Sequence, residues 1–330
     1  MAPAEVELES LSSLDDVAVS DIELGTTTSR LTLAHLGQTW NFTARFVVDA
    51  SGRDGFLARR QGLRLRNQNH SSAAIFTHFD GVPEAAWATP GNIGIHWFEH
   101  GWIWMIPLSK TLTSVGVVCM TGYAKTRNGP LDEFFFDTLR LCPYIWDSLS
   151  TARRVAPVRG AGNYSYRASK SYGDGFLLVG DAYAFVDPVF SSGVLVAMQS
   201  AESAVNAVDA YLNHPTTAAT AFRAHQQEID IFIKRLSWLI HRFNTPTMRR
   251  LFTTHRDYFR IRAAVTSLLV GDMSTHGMSW RLTLFKVLFT VSRLLNIREA
   301  RDWKRKRIDS FEGSIASITF CLSICFGKGS

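Results

Sequence analysis

Gly175-Phe176-Leu177-Leu178-Val179-Gly180-Asp181-Ala182-Tyr183-Ala184-Phe185-Val186-Asp187-Pro188-Val189-Phe190-Ser191-Ser192-Gly193-Val194 reads as a buried strand, a turn and a helix start. The apolar run Phe176 to Val179 is short and uninterrupted, as in a strand covered on both faces. Gly180 lacks the Cβ that would keep a ligand from the backbone. Asp181 falls at the carboxyl edge of the strand, where open α/β sheets bind ligands, and its carboxylate can accept hydrogen bonds from sugar or ribityl hydroxyls. Asp187-Pro188 sets a bend, Ser191 or Ser192 can cap the helix, and Gly193 keeps its first turn open. The unpaired N–H groups of that turn would face an anion or an electron-rich ring.

These residues resemble the second flavin-binding motif of FAD-dependent monooxygenases, and the wording from Asp187 to Gly193 resembles the flavin-dependent halogenases. Trp102-Ile103-Trp104-Met105-Ile106-Pro107 resembles the Trp-x-Trp-x-Ile-Pro signature of those halogenases. Ala44-Arg45-Phe46-Val47-Val48-Asp49-Ala50-Ser51-Gly52 is similar to a strand and turn of their FAD domain, and Tyr164-Ser165-Tyr166 precedes the flavin motif as it does there. All four segments stand in family order. The resemblance implies FAD, reduced by a separate flavin reductase, with dioxygen and a halide ion as co-substrates, and an electron-rich small molecule, free or carrier-tethered, that becomes halogenated. It also implies roles: Trp102, Trp104 and Pro107 in catalysis, Ser192 and Gly193 at the halide, and Gly180, Asp181, Ala182, Asp187, Pro188, Gly193 and Val194 at the cofactor.

Two departures matter. Such enzymes open with a Gly-x-Gly-x-x-Gly turn that receives the pyrophosphate, and this chain has none; Gly160-Ala161-Gly162-Asn163-Tyr164-Ser165 lacks the third glycine and runs into a strand-like segment. The expectation is a halogenase without its first βαβ unit, lacking also the family's catalytic lysine, a role that does not pass to Lys110. Secondly, Phe190 stands where tryptophan halogenases carry a glutamate. An apolar residue can neither act as a base nor orient an indole N–H, which points to phenolic, pyrrolic or alkyl substrates.

The expected fold is α/β: an incomplete Rossmann-like FAD domain, an antiparallel sheet on the substrate side and a helical C-terminal region. The expected divisions are an acidic segment 1–24, FAD-domain residues 25–65 and 166–212, the sheet at 66–165, and helices over 213–330. Residues 29–34 and 40–48 read as paired strands, and 73–79, 94–98, 101–106 and 114–120 as a meander. Helical runs follow at 195–212, 219–243, 247–269 and 281–296.

With 330 residues and 46% hydrophobic content the chain is globular rather than disordered. Residues 1–24 hold seven acids and no Lys or Arg, against the basic run Arg301, Lys304, Arg305, Lys306 and Arg307. No groove-reading motif accompanies that run, so a solvated face is expected and no nucleic acid. Cys119, Cys142, Cys321 and Cys325 form no CxxC pair, which favours a reducing compartment. Without a signal-like start, a cytoplasmic protein is expected. The apolar tail 315–326 is short of the about twenty residues a bilayer needs; it and the basic, apolar stretch Arg281 to Arg293 would suit weak contact with a membrane surface, with packing onto the domain favoured.

Other readings are weaker. His96-Trp97-Phe98-Glu99-His100 spells a zinc-peptidase motif, but aromatic β-formers and Gly101 favour a hairpin, and no metal is expected. Ser192, His96 and Asp187 lack a nucleophile elbow. Trp102 and Trp104 share a strand face, as packed aromatics often do. A flavin hydroxylase or reductase of the same fold, or an inactive fragment, are the alternatives.

Overall fold

The computed structural model describes residues 5–6, 13–66, 72–87, 91–162, 165–253, 265–266, 269, 276–302 and 319–322. Tyr164, Cys325, most of the basic run 301–307 and most of the apolar tail lie outside them. The chain divides into two compact units, residues 1–67, 166–238 and 268–271 in one and 68–165, 239–267 and 272–330 in the other.

In the first unit Phe176–Leu178 is a strand with no exposed side chain, as its unbroken apolar run requires. It pairs parallel with Val47–Asp49, Leu177 opposite Val48, and antiparallel with Tyr172–Gly173. Val47–Asp49 is the edge of that sheet among the described residues, and Val48 is 45% exposed. A separate sheet joins Ala18–Glu23, Ser29–His35 and Gln38–Ala44 antiparallel, the last two about the turn at Leu36-Gly37, with Glu5–Val6 added parallel to Gln38–Ala44. Part of the acidic segment thus enters a sheet, with Ile22 in the core. Gly193–Asn213 and Pro215–Ile240 are long helices; Ala204, Ala207 and Phe222 from them cover Leu177 and Val179.

In the second unit Ser72–Asp80, Leu112–Met120, Gly101–Pro107 and Ile93–Phe98 form neighbouring antiparallel strands of one sheet, as the alternating aromatic and β-branched pattern predicts. Ile103 and Met105 point to one face, where helices Leu131–Arg140 and Pro143–Ser148 close the core with Phe135, Leu139 and Ile145. Trp102 and Trp104 point to the other. His96 to Phe98 lie in a strand that turns at Glu99-His100 into Gly101, so the hairpin reading holds and the imidazoles share no helix face. The C-terminal region is not wholly helical: Thr319–Leu322 pairs antiparallel with Ile93–Phe98. The sequence gives no local sign of this, because the pairing joins segments more than two hundred residues apart.

His96 stacks on Tyr144 with centroids 5.1 Å apart, and its Nδ1 is buried without a hydrogen-bond partner. Burial therefore disfavours the imidazolium and pushes its pKa down to about 4. A lowered folded-state pKa means stability that is present above the ordinary histidine value and lost as pH falls. Unfolding followed by urea should show up to about 3 kcal/mol of acid sensitivity between about pH 6.5 and 4, and His96→Phe should flatten that slope.

A second constraint lies across the neighbouring strands. Gly116 faces Trp104, and a Cβ at Gly116 would sit 2.2 Å from the indole Cζ2. Gly116→Ala should cost about 1–3 kcal/mol through overpacking, with a shift in tryptophan emission as the ring moves.

Candidate functional site

The turn after Phe176–Leu178 is built by Gly180–Ala182, a single 3-10 turn. Gly180 has φ +55, a conformation glycine adopts readily, and a Cβ there would come within 2.9 Å of the Ala197 Cβ. Its missing side chain therefore admits the Gly193–Asn213 helix. The same residue is anchored to that helix by its N–H, which donates to Ser200 Oγ at 2.7 Å. Ser200 in turn donates to the Ala197 carbonyl at 2.9 Å.

Asp187 accepts the Val189 N–H at 3.1 Å, which turns the chain through Pro188–Phe190. Ser191 then takes the left-handed conformation at φ +52. Ser192 occupies the cap position of the next helix, yet its side chain makes no capping bond. The expected cap is absent because Ser192 has helix-like torsions, φ -84 and ψ 0, whereas a capping side chain works from extended backbone. The first N–H groups of the helix consequently lack intrahelical acceptors, and the Ser192 side chain does not replace them. A Cβ on Gly193 would meet no atom nearer than Asp181 Oδ1 at 4.0 Å, so this face of the first turn is open.

Asp181, Asp187, Pro188, Ser192 and Gly193 line one cleft of about 50 Å³ with Phe185, Ile233 and Leu236. That volume admits a water or a small anion; a three-ring cofactor would have to rest at its mouth. Gly180, Ala182 and Val194 are not among its walls: Ala182 is wholly buried, and Val194 is 72% exposed. Phe190 is buried and also absent from the cleft.

The electrostatics are mixed. The helix start offers aligned N–H dipoles that favour negative charge, while two carboxylates stand nearby. Burial pushes the Asp181 carboxyl up from the ordinary carboxylate range, and Arg53 opposes that shift. Tyr166 donates to the Asp181 carbonyl at 2.6 Å, and the Arg64 guanidinium lies 3.8 Å from the centre of the Tyr166 ring. Arg53, Arg64, Ser200 and the Pro215–Ile240 side chains were not found from sequence; each reaches the turn from a distant segment and carries no local signature.

Asp49 has a different task. Both of its carboxylate oxygens are engaged, accepting the Ser51 and Leu57 N–H groups at 2.8 Å each. It shares a hollow of about 320 Å³ with Val47, Ser51, Phe56 and Leu57 along the open edge of the Val47–Asp49 strand, a space within the size range of small-molecule pockets.

In the second unit Trp102 is buried, and Trp104 lies beside it with centroids 5.8 Å apart. The Trp104 indole N–H donates to Ser114 Oγ at 3.1 Å, and Phe76 stands 6.0 Å from its ring. Pro107 ends the strand at the turn that carries Lys110. Among the described residues no cluster of His, Cys, Asp or Glu could hold a metal ion. Cys119 is buried, with its thiol pushed up to about 12, and so is no nucleophile.

The family profile described as tryptophan halogenase matches residues 17–253. The chain is 32% identical over 269 residues to the 1H-pyrrole-2-carbonyl-(peptidyl-carrier protein) chlorinase of Pseudomonas fluorescens, which covers 78% of this chain and 58% of that one. Among solved structures, CmlS, a flavin-dependent halogenase, is 27% identical with a TM-score of 0.65, over 76% of this chain and 50% of that one. A flavoprotein/dehydrogenase from Cytophaga hutchinsonii gives 27% identity and a TM-score of 0.74, over 85% and 69%. The chain spans about half the length of the curated relatives it matches.

The raised pKa of Asp181 has a definite sign for stability. The folded state holds this proton more tightly than the unfolded chain does, so ionisation of Asp181 opposes folding as pH rises from the ordinary carboxylate range. Asp181→Asn should therefore raise the melting temperature at neutral pH, with the gain vanishing by about pH 3. Thermal melts across that pH range check it.

Proposed function

This chain belongs to the flavin-dependent halogenase family, and from that premise we propose that it contributes the ring-side and halide-side portion of an FAD-dependent halogenase. The observation that carries the reading is the convergence of Asp181, Ser192 and Gly193 on one cleft at an uncapped helix start. The residues fit the cofactor: an open Gly193 leaves backbone N–H groups accessible, and the half-buried Asp181 carboxylate can accept from hydroxyls. When bound, reduced FAD would supply the two electrons that bring dioxygen to the peroxide level, and that oxygen would be the oxidant that takes two electrons from a halide to make it electrophilic.

The protein's own part is positional. The Gly193 and Val194 N–H groups hold a halide without adding a titratable donor. Asp181 and Asp187 keep that grip weak, since like charges nearby oppose a bound anion. A weak grip suits an ion that has to leave its site to react. The Gly180 turn and Ser200 fix the helix start against the strand end, so no reorganisation is needed when charge develops there. Trp102, Trp104 and Pro107 form a rigid aromatic strand that we assign to shaping the outcome for the substrate.

For the substrate we propose a pyrrolic or phenolic ring, free or tethered to a carrier protein. Phe190 in place of a glutamate supports this, as do relatives named chlorinase and brominase of 1H-pyrrole-2-carbonyl carrier protein. We further propose that the pyrophosphate is held by a segment other than these residues, which contain no Gly-x-Gly-x-x-Gly turn. The open edge of Val47–Asp49, beside the larger hollow, is where such a segment would continue the parallel sheet.

A second reading, a flavin hydroxylase or reductase, is favoured by the likeness to the flavoprotein/dehydrogenase. Halide dependence separates the two. With FAD, a flavin reductase, the pyrophosphate-binding segment and a pyrrolyl carrier or phenol, mass spectrometry should detect a halogenated product only when chloride or bromide is present. Gly193→Val should reduce its formation at least tenfold while leaving the circular dichroism unchanged. A hydroxylated or reduced product formed equally well without halide would establish the second reading instead.

A further inference from the structure

The helix His276–Leu295 lies beyond residue 253, where the family match ends, and it presents an unusual outer surface. Its inner face buries Leu282, Phe285 and Phe289. At about 100° per residue, Trp280, Val287 and Val291 fall within about 40° of one another on the opposite side, with Leu294 and Leu295 flanking them. All five are exposed, from 46% at Val291 to 79% at Leu295. The stripe runs for about 22 Å, taking 1.5 Å per residue. A helix with a buried apolar face ordinarily turns a polar face to water; this one turns a second apolar face. Contiguous exposed apolar surface of this kind marks an interaction site.

Charge indicates the occupant. No Asp or Glu occurs between residues 276 and 298, whereas Arg281, Lys286, Arg293 and Arg298 all fall in that span. The first acid after them, Glu299, is already paired with Arg250. The guanidinium of Arg281 lies 5.3 Å from the centre of the Trp280 ring, which couples a cation to the aromatic end of the stripe. A second copy of the chain would bring an equally basic helix against this one, with like charges opposed. An anionic lipid surface offers both a hydrocarbon boundary for the stripe and negative headgroups for the arginines. Among the described residues no helix is long and apolar enough to cross a membrane, so insertion in the plane is the geometry available. We propose that the outer face of His276–Leu295 docks this protein on anionic membrane surfaces.

Vesicle flotation with the full chain tests this directly. The protein should float with vesicles of mixed phosphatidylcholine and phosphatidylglycerol and remain at the bottom with phosphatidylcholine alone. The double variant Val291→Asp, Leu294→Asp, both positions exposed, should lose at least tenfold of the bound fraction. Arg281→Glu with Arg298→Glu, the arginine beside Trp280 and an exposed arginine beyond Leu295, should abolish the preference for anionic vesicles. Circular dichroism verifies that each variant is folded, and the arginine pair gives a result if the first variant fails to fold. Failure of the wild-type chain to float with anionic vesicles, or equal binding to both lipids, overturns the proposal. So does a wild-type dimer in sedimentation equilibrium that the stripe variant converts to monomer, because a second copy would then cover the face.

Discussion

The close approach of the Gly193–Asn213 helix to the Gly180 turn is the constraint on which the first unit's site depends. Two features impose it together: the absence of a Cβ at Gly180, whose place Ala197 takes, and the bond from the Gly180 N–H to Ser200. With the helix fixed there, its first turn opens toward Asp181 and Asp187, and the cleft follows. Removing that approach would separate the N–H groups from the carboxylates without altering any residue that lines the cleft.

Around this contact the chain is held by groups with purely structural tasks. Asp49 ties the end of its strand to the turn and helix that follow. Asp230 takes the Tyr183 hydroxyl at 2.5 Å and the Arg167 guanidinium at 2.9 Å, which joins the long Pro215–Ile240 helix to the flavin motif and to the strand before it. Asp49 is buried and satisfied by two donors, so breaking either leaves charge uncompensated, whereas the half-buried Asp230 is a looser joint. These joints explain how a sheet of only three short strands can present a defined edge.

What could be read in the residues follows from how local each signal is. Phe176 to Val179 is an apolar run bounded by glycines, and Gly193 opens a long helical period, so strand and helix were both legible. The meander from Ser72 to Met120 was legible for the same reason, and Gly101 correctly closed the His96 hairpin. The role of Gly180 in admitting the Gly193–Asn213 helix leaves no local trace, because Ala197 is brought to it only by tertiary structure. Ser191 or Ser192 reads as a cap by identity alone, while capping depends on torsions. The Thr319–Leu322 strand and the Arg64–Tyr166 stack join distant segments, and neither leaves a periodic trace. The family resemblance found the flavin motif and the Trp102–Pro107 strand but carried nothing about the helix after residue 276.

Gly116 and Trp104 illustrate a broader point about inheritance. The indole occupies the volume of the side chain its neighbour lacks, and its N–H is held by Ser114 two residues away. Neither position is free to drift singly: a larger residue at one evicts the ring, and a smaller residue at the other leaves a void. Such a pair is expected to covary among descendants, changing in concert or staying fixed, so that the tryptophan signature extends physically to a glycine on the adjacent strand.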